Sequence, residues 1–141
     1  MNILIIDGYN IIKQWADLKK ELKRSGFEYT RNKLIEILAE YQAFTGDRVI
    51  VVFDGYKTDK KLITKSSQFG VEVIFSKRKQ TADSLIERLV YNERGEGKTI
   101  FVATRDTALE RMIFGMDCLT ISPQKLEERI NAVKLEIKGY L

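Results

Sequence analysis

Four short apolar runs, each followed by an aspartate, constrain the fold of this chain most strongly. The runs are residues 3–6 before Asp7, 49–53 before Asp54, 71–75 before Asp83 and 99–103 before Asp106. Segments with a helical spacing of apolar residues lie between them, and such alternation is typical of a parallel sheet covered on both faces. We therefore predict an α/β fold with a central, mostly parallel five-stranded sheet, whose fifth strand is Cys118–Ile121.

Local signals place the helices between these strands. Ser25-Gly26 ends one predicted helix, and Gly46 suits the position after the end of the next. Thr81 and Ser122-Pro123 are typical helix starts, and the polar, lysine-rich segment 55–70 is predicted to hold a short helix. The predicted helices are 11–24, 29–44, one from Thr81, 105–114 and one after Ser122.

Composition narrows the fold and the chemistry. A chain of 141 residues, 44% of them hydrophobic, fits one domain over residues 1–141. The absence of histidine and the single Cys118 exclude a Ser-His-Asp triad, a histidine-ligated zinc site and a structural zinc site. No apolar run is long enough to cross a membrane, and the first lacks the basic flank of a signal peptide. These features predict a cytoplasmic protein that does not bind membranes.

The aspartates should meet at one place. The carboxyl ends of parallel strands share one edge of a sheet, which is where open α/β sheets bind ligands. Two charges 4 Å apart repel by about 4 kcal/mol at an effective dielectric of ~20. A cluster of carboxylates therefore takes up protons or a cation, and Mg²⁺ or Mn²⁺ is the cation that prefers oxygen ligands.

Each acid also has a simpler interpretation as a helix cap. In Asp7-Gly8-Tyr9-Asn10, Gly8 allows a tight turn, Asp7 would bind metal, and Asn10 would orient a water or a phosphate oxygen. Asp7 and Asn10 also suit helix-cap positions, and Asp83 and Asp106 suit the first turns of their helices, where acids are favourable. The joint placement on one edge favours a site. Asp54 is either a more distant site acid or a turn residue.

Basic residues indicate an anionic ligand. The net charge is +4, and three clusters hold much of the positive charge. The cluster at 19–24 is interpreted as a solvated helix face. The clusters at 57–65 and 77–79 follow the second and third strands and so flank the acidic edge. Tyr9 and Tyr56 lie beside the same edge and could stack on nucleic-acid bases.

Four of these motifs occur together and in order, as in a known family. Asp7-Gly8-Tyr9-Asn10, Val51-Val52-Phe53-Asp54, Thr81-Ala82-Asp83 and Ala103-Thr104-Arg105-Asp106 resemble the NYN domain, a branch of the PIN-like nucleases, and specifically its bacterial YacP-like subfamily. The segment from Leu34 through Asp54 is also similar, so the resemblance covers nearly the whole chain.

The resemblance implies a PIN-like three-layer sandwich and a divalent-metal-dependent endoribonuclease, linked in this subfamily to mRNA cleavage at the ribosome. It assigns Asp7, Asp83 and Asp106 as metal-site acids, with Asn10 as their polar companion. Lys57, Lys60, Lys61, Lys77, Arg78 and Lys79 would hold the RNA backbone. Two positions depart from the family pattern: Gln80 replaces an expected acid, and Arg105 replaces a small polar residue and could contact phosphate. The resemblance also allows a homodimer and suggests that a C-terminal extension beyond Leu141 is missing.

Two other functions remain open from the sequence. One is a module of the same fold that binds RNA or a ribosome without cutting RNA. The other is a phosphorylatable receiver domain, since Asp7 and Asp54 end early strands. Against the receiver, the first strand ends in one acid rather than a pair, and the fifth ends in Ile121-Ser122-Pro123 without a lysine.

Overall fold

A computed structural model describes residues 1–55 and 62–139. The strands of this part of the chain are β1 (Asn2–Asp7), β2 (Arg48–Phe53), β3 (Thr64–Gln68), β4 (Val71–Phe75), β5 (Thr99–Ala103) and β6 (Cys118–Ile121). The helices are α1 (Gly8–Gln14), α2 (Ala16–Thr45), α3 (Ala82–Glu93), α4 (Thr107–Ile113) and α5 (Pro123–Ile137).

The strands form one sheet in the order β3-β4-β2-β1-β5-β6. Every neighbouring pair is parallel except β3 and β4. The predicted five-stranded sheet thus gains a sixth strand, and the helix expected within 55–70 is wrong for Thr64–Gln68. Phe69 and Gly70 both have positive φ, at 52° and 85°, and this turn returns the chain antiparallel along β4. The strand was missed because it is polar and at most half-buried, so it carries no apolar alternation.

Helices cover both faces of the sheet, as predicted for a three-layer sandwich. Leu4 and Ile6 of β1 belong to a core shared with α1, α2 and α5. Ile3 and Ile5 point the other way, into a second core with α3 and α4. Since β1 lies in the middle of the sheet and is buried on both faces, its carboxyl end is held rigidly where the two layers of helices meet.

Helix α2 contains the predicted break at Ser25-Gly26, and an unpredicted break at Trp15 divides the predicted helix 11–24 between α1 and α2. Gly26 inside α2 has φ 84° and ψ 179°, which interrupts the helical path. Only glycine adopts this conformation readily. Gly46, with φ 72°, ends α2 as predicted. The chain thus turns at Gly26 and presents Phe27 at the start of a new helical segment.

The predicted helix caps are in place. Thr81 Oγ1 accepts a hydrogen bond from the Ser84 amide at 3.2 Å, and Ser122 Oγ accepts one from the Lys125 amide at 3.1 Å. Helix α4 begins at Thr107, two residues later than predicted, because Asp106 is its N-cap. Among the described residues, no helix combines the length and the apolar character that crossing a bilayer requires.

Candidate active site

Three carboxylates converge at the carboxyl edge of the sheet. Asp7 is the last residue of β1, Asp83 lies in the first turn of α3, and Asp106 caps α4 just after β5. One oxygen from each lies within 4.8 Å of the others. The parallel arrangement of β1 and β5 brings Asp7 and Asp106 side by side, and α3 supplies Asp83 from the facing layer.

Asp7 is the most enclosed of the three, with 7% of its surface exposed. Burial, together with the negative charges of Asp106 and Asp54, raises its pKa from 3.8 to about 6. Thr104 opposes this shift, because its hydroxyl donates a 2.9 Å hydrogen bond to Asp7 Oδ2. Asp7 is the N-cap of α1, but its side chain forms no capping hydrogen bond. Capping therefore does not explain this aspartate.

The pKa of Asp83 is raised for the same reasons as that of Asp7. Burial, followed by the negative charges of Asp106 and Asp7, raises its pKa to about 7. Thr81 already caps α3, so Asp83 is free to face the other acids. Three carboxyl groups held this close favour a bound proton or cation over full ionisation.

Asp106 has two roles at once. Its Oδ1 accepts hydrogen bonds from the Ala108 and Leu109 amides, at 2.9 and 3.3 Å, as a helix cap should. Its own amide donates to Thr104 Oγ1 at 3.0 Å. These bonds fix the side chain at the helix start, and the capping interpretation and membership of the acidic cluster hold together for this residue.

Asn10 fastens the loop that carries Asp106. Asn10 Oδ1 accepts a 2.8 Å hydrogen bond from the Arg105 amide. Asn10 lies in α1 and Arg105 between β5 and α4, so this bond ties the elements that hold Asp7 and Asp106. The Arg105 side chain itself is exposed beside the cluster.

Position 8 requires a glycine because its backbone packs closely against β2. The sequence suggested that Gly8 allows a tight turn, but it is the first residue of α1 and does not have a positive φ. A Cβ atom added here would collide with the Phe53 ring and lie 3.0 Å from the Val52 carbonyl oxygen. The missing side chain lets α1 start directly against β2, which sets the direction of Asp7.

The donor set fits a small, hard divalent cation. Mg²⁺ and Mn²⁺ prefer oxygen ligands, and the cluster offers one carboxylate oxygen from each of three aspartates, all within 4.8 Å of one another. Burial and mutual repulsion raise the pKa values of Asp7 and Asp83, and a bound cation would offset both effects. Asp7, Asp83 and Asp106 would hold the ion.

The other predicted residues lie around this centre. Asp54 follows β2 at the same edge and is exposed; its charge contributes to the raised pKa values of Asp7 and Asp83. Lys77, Arg78 and Lys79 are exposed in the turn after β4, where Gln80 Oε1 accepts a hydrogen bond from the Lys77 amide at 3.2 Å. The predicted Lys57, Lys60 and Lys61, like Tyr56, lie outside the described residues.

Sequence reasoning missed two parts of the site. Thr104 was noted only as part of a motif, although it is buried and contacts both Asp7 and Asp106. Arg31 was not singled out, although its Nη1 donates a 3.0 Å hydrogen bond to the hydroxyl of Tyr9. A polar residue directly after a buried strand was an available signal for Thr104, whereas nothing in the local sequence marks Arg31.

Comparison with known proteins agrees with this fold. Residues 4–140 match the model of the YacP-like NYN domain family. The YacP protein of Bacillus subtilis (strain 168), described as uncharacterized, is 42% identical over 138 residues, which cover 98% of this chain and 80% of that protein. Two crystal structures of Rae1 (YacP) from Bacillus subtilis superpose with TM-scores of 0.85, for a point mutant, and 0.82. They are 40% and 39% identical to this chain, and the matches cover 99% of it and 80% and 79% of those chains.

Proposed function

Because this chain belongs to the family of YacP-like NYN domains, we propose that it is a divalent-metal-dependent endoribonuclease that hydrolyses phosphodiester bonds of RNA. The observation that carries the proposal is the cluster of Asp7, Asp83 and Asp106, in which two carboxyl groups have raised pKa values. A site that binds protons where acids should be ionised is prepared for a cation.

Each residue of the cluster has a defined task in this proposal. Asp7, Asp83 and Asp106 would hold Mg²⁺ or Mn²⁺ through their carboxylate oxygens. When bound, such an ion lowers the pKa of a coordinated water and neutralises charge that develops on the phosphate during hydrolysis. Thr104 keeps Asp7 oriented, and Asn10 keeps the Asp106 loop in place.

The charged surroundings support an RNA backbone as the ligand. Lys77, Arg78 and Lys79 follow β4, and Arg105 follows β5, so all four are exposed at the carboxyl edge that carries the acids. Cations around an acidic metal centre bind phosphates on either side of the one that is cleaved. We propose mRNA as the natural substrate and the ribosome as the place of cleavage, which is what the resemblance to the YacP-like subfamily implies.

The test is a cleavage assay with matched variants. End-labelled single-stranded RNA is incubated with the wild type and with Asp7→Asn, Asp83→Asn and Asp117→Asn, each in Mn²⁺, Mg²⁺ or EDTA. Asp117 is an exposed acid next to the start of β6, at the opposite edge of the sheet, and its positive φ of 56° suits asparagine. We expect metal-dependent cleavage by the wild type and Asp117→Asn alone.

Other outcomes separate the competing functions. Cleavage that persists in EDTA, or in Asp83→Asn, removes the metal cluster from the reaction. RNA that is bound in a gel shift but left intact by the wild type favours a non-catalytic binding module, and the assay is then repeated on translating ribosomes. Cleavage there but not on free RNA would establish the ribosome as a required partner.

A further inference from the structure

A row of aromatic rings continues the acidic site along the sheet edge. Phe53 and Phe75 are the last residues of the neighbouring strands β2 and β4, and their ring centroids lie 5.3 Å apart. Tyr9, two residues after Asp7, packs on Phe53 with a centroid distance of 5.1 Å. The row therefore begins two residues after Asp7 and leads toward the basic turn that follows β4.

Phe27 extends this row to the surface. Its ring centroid lies 5.1 Å from that of Tyr9, with the two rings 70° apart, and 48% of Phe27 remains exposed. The kink at Gly26 sets its position, and the buried Thr30 secures the kink by donating a 2.7 Å hydrogen bond to the Gly26 carbonyl oxygen. A large apolar ring is thus held half in water at the margin of the site.

Arg31 supplies a positive charge in the same place. It is half-buried, its Nη1 donates to the Tyr9 hydroxyl, and its guanidinium carbon lies 5.4 Å from the centroid of the Phe75 ring. Within residues 1–55 and 62–139, no carboxylate forms an ion pair with Arg31. A guanidinium has five N–H donors, so Arg31, with one of them bonded to Tyr9, keeps several that suit an anionic ligand.

We propose that Phe27 and Arg31 form a subsite for a nucleotide that flanks the cleaved phosphate: Phe27 stacks on the base and Arg31 donates to the phosphate. This inference rests on the proposed function, and it deepens it by naming the substrate class. Stacking of bases on aromatic rings next to cations is how proteins hold single-stranded nucleic acid. Bases in a duplex already stack on each other, so the subsite selects single-stranded RNA.

Tyr9 and Phe27 have different tasks in this subsite. Tyr9 is half-buried, and Phe53, Phe27 and Arg31 already contact it. It therefore supports the subsite, and Phe27 makes the contact with the base.

The first experiment compares Phe27→Ala with Phe44→Ala. Phe44 is a matched control, since it also lies on α2 and is also 48% exposed, but it is four residues before β2 begins and so at the opposite edge of the sheet. Binding of a fluorescein-labelled 12-nucleotide single-stranded RNA is measured in EDTA, where metal-dependent cleavage cannot occur. We expect about tenfold weaker binding for Phe27→Ala and no change for Phe44→Ala. Equal affinities of the two variants would overturn the subsite.

A second experiment reads the stacking itself. Phe27→Trp and Phe44→Trp each add an exposed tryptophan to a chain whose own Trp15 is 4% exposed. Single-stranded RNA should quench the emission of the Phe27→Trp variant only, and an oligonucleotide with an abasic nucleotide at the contacted position should not. Quenching that is the same in both variants, or that survives every abasic position, would contradict the proposal.

These readouts distinguish failure of the subsite from failure of the nuclease. Metal-dependent cleavage with the same KM in Phe27→Ala and the wild type overturns the subsite and leaves the endoribonuclease intact. Phe27-dependent binding and quenching without any cleavage supports the subsite and removes the catalytic proposal. Arg31→Gln adds an independent check, because losing one phosphate contact should lower the salt dependence of binding by about 0.7 in the log–log slope.

Discussion

The Thr104 hydroxyl donates a 2.9 Å hydrogen bond to Asp7 Oδ2, although the two residues are 97 positions apart. The oxygen of this hydroxyl, Thr104 Oγ1, also accepts a 3.0 Å hydrogen bond from the Asp106 amide. One buried hydroxyl therefore joins the end of β1 to the start of α4, and with them two of the three acids. Its proton faces Asp7, which stabilises the ionised carboxylate that a metal needs.

The variant Thr104→Val tests this arrangement. Valine has the same shape but leaves the Asp106 amide without its acceptor. The free energy of unfolding, measured with urea, should therefore decrease by about 1–3 kcal/mol. The pKa of Asp7 should rise further, because the bond that lowers it is gone. In a plot of cleavage rate against pH, the rise on the acid side should then move to higher pH. Thr104→Ser is the control, since it keeps the hydroxyl; an acid-side rise at an unchanged pH in Thr104→Val would contradict this role.

Asp7 and Asp83 should make the metal-free protein less stable as pH rises. Their folded pKa values, about 6 and about 7, exceed the ordinary 3.8. The folded chain thus binds more protons than the unfolded chain between pH 4 and 7, and stability that is complete below pH 4 is lost across this range. For the buried Asp7, a shift of about two units corresponds to ~3 kcal/mol.

This dependence is measured by urea unfolding in EDTA. Asp7→Asn cannot ionise, so its stability relative to the wild type should increase from pH 4.5 to pH 8. Asp117→Asn should track the wild type at both pH values. A constant difference between Asp7→Asn and the wild type would show that Asp7 does not ionise in unfavourable surroundings.

Divalent cations should reverse this loss of stability. An ion that binds only the folded chain stabilises it by about 2.7 kcal/mol at a hundredfold excess over Kd. We expect Mn²⁺ or Mg²⁺ to raise Tm more at pH 8 than at pH 5, because protons compete for the same oxygens. Differential scanning fluorimetry with Asp83→Asn, which should lose the effect, and Asp117→Asn, which should keep it, provides the measurement. Equal shifts in these two variants would place the ion elsewhere.

Gly8→Ala should disturb the site through packing alone. The added Cβ would meet the ring of the fully buried Phe53, and overpacking of this kind costs about 1–3 kcal/mol. The double variant Gly8→Ala/Phe53→Leu makes room for the Cβ. Urea unfolding of both single variants and the double variant completes a mutant cycle. We expect the double variant to be more stable than the sum of the single effects, and strict additivity would argue against this contact.

The sequence predicted those parts of the fold that local patterns determine. The buried strands β1, β2, β4 and β5 are continuous apolar runs, and Thr81 and Ser122 mark helix starts by their own side chains. Strand β3 was not predicted, because its residues are polar and its conformation depends on pairing with β4. The break at Gly26 was predicted, because glycine marks it, whereas the break at Trp15 between α1 and α2 was missed.

The same distinction holds for the site. The positions of Asp7, Asp83 and Asp106 could be anticipated, because acids that follow parallel strands share one edge. Thr104 also follows a buried strand, but its bond to Asp7, 97 positions away, could not be inferred from the local sequence. Arg31 has no local signal, because its importance comes from a contact with Tyr9 across 22 positions. The need for a glycine at position 8 could not be predicted either, because it comes from the Phe53 ring, 45 residues away, and not from the φ of Gly8.

The basic turn after β4 should account for part of the salt dependence of RNA binding. The double variant Lys77→Ala/Arg78→Ala removes two exposed charges from the carboxyl edge. If both contact phosphates, the slope of log Kobs against log salt should fall by about 1.4 for single-stranded RNA. Arg94→Ala/Lys98→Ala removes one arginine and one lysine from the exposed connection between α3 and β5, at the opposite edge, and should leave the slope unchanged. A similar decrease in both double variants would mean that net charge, rather than the carboxyl edge, attracts the RNA.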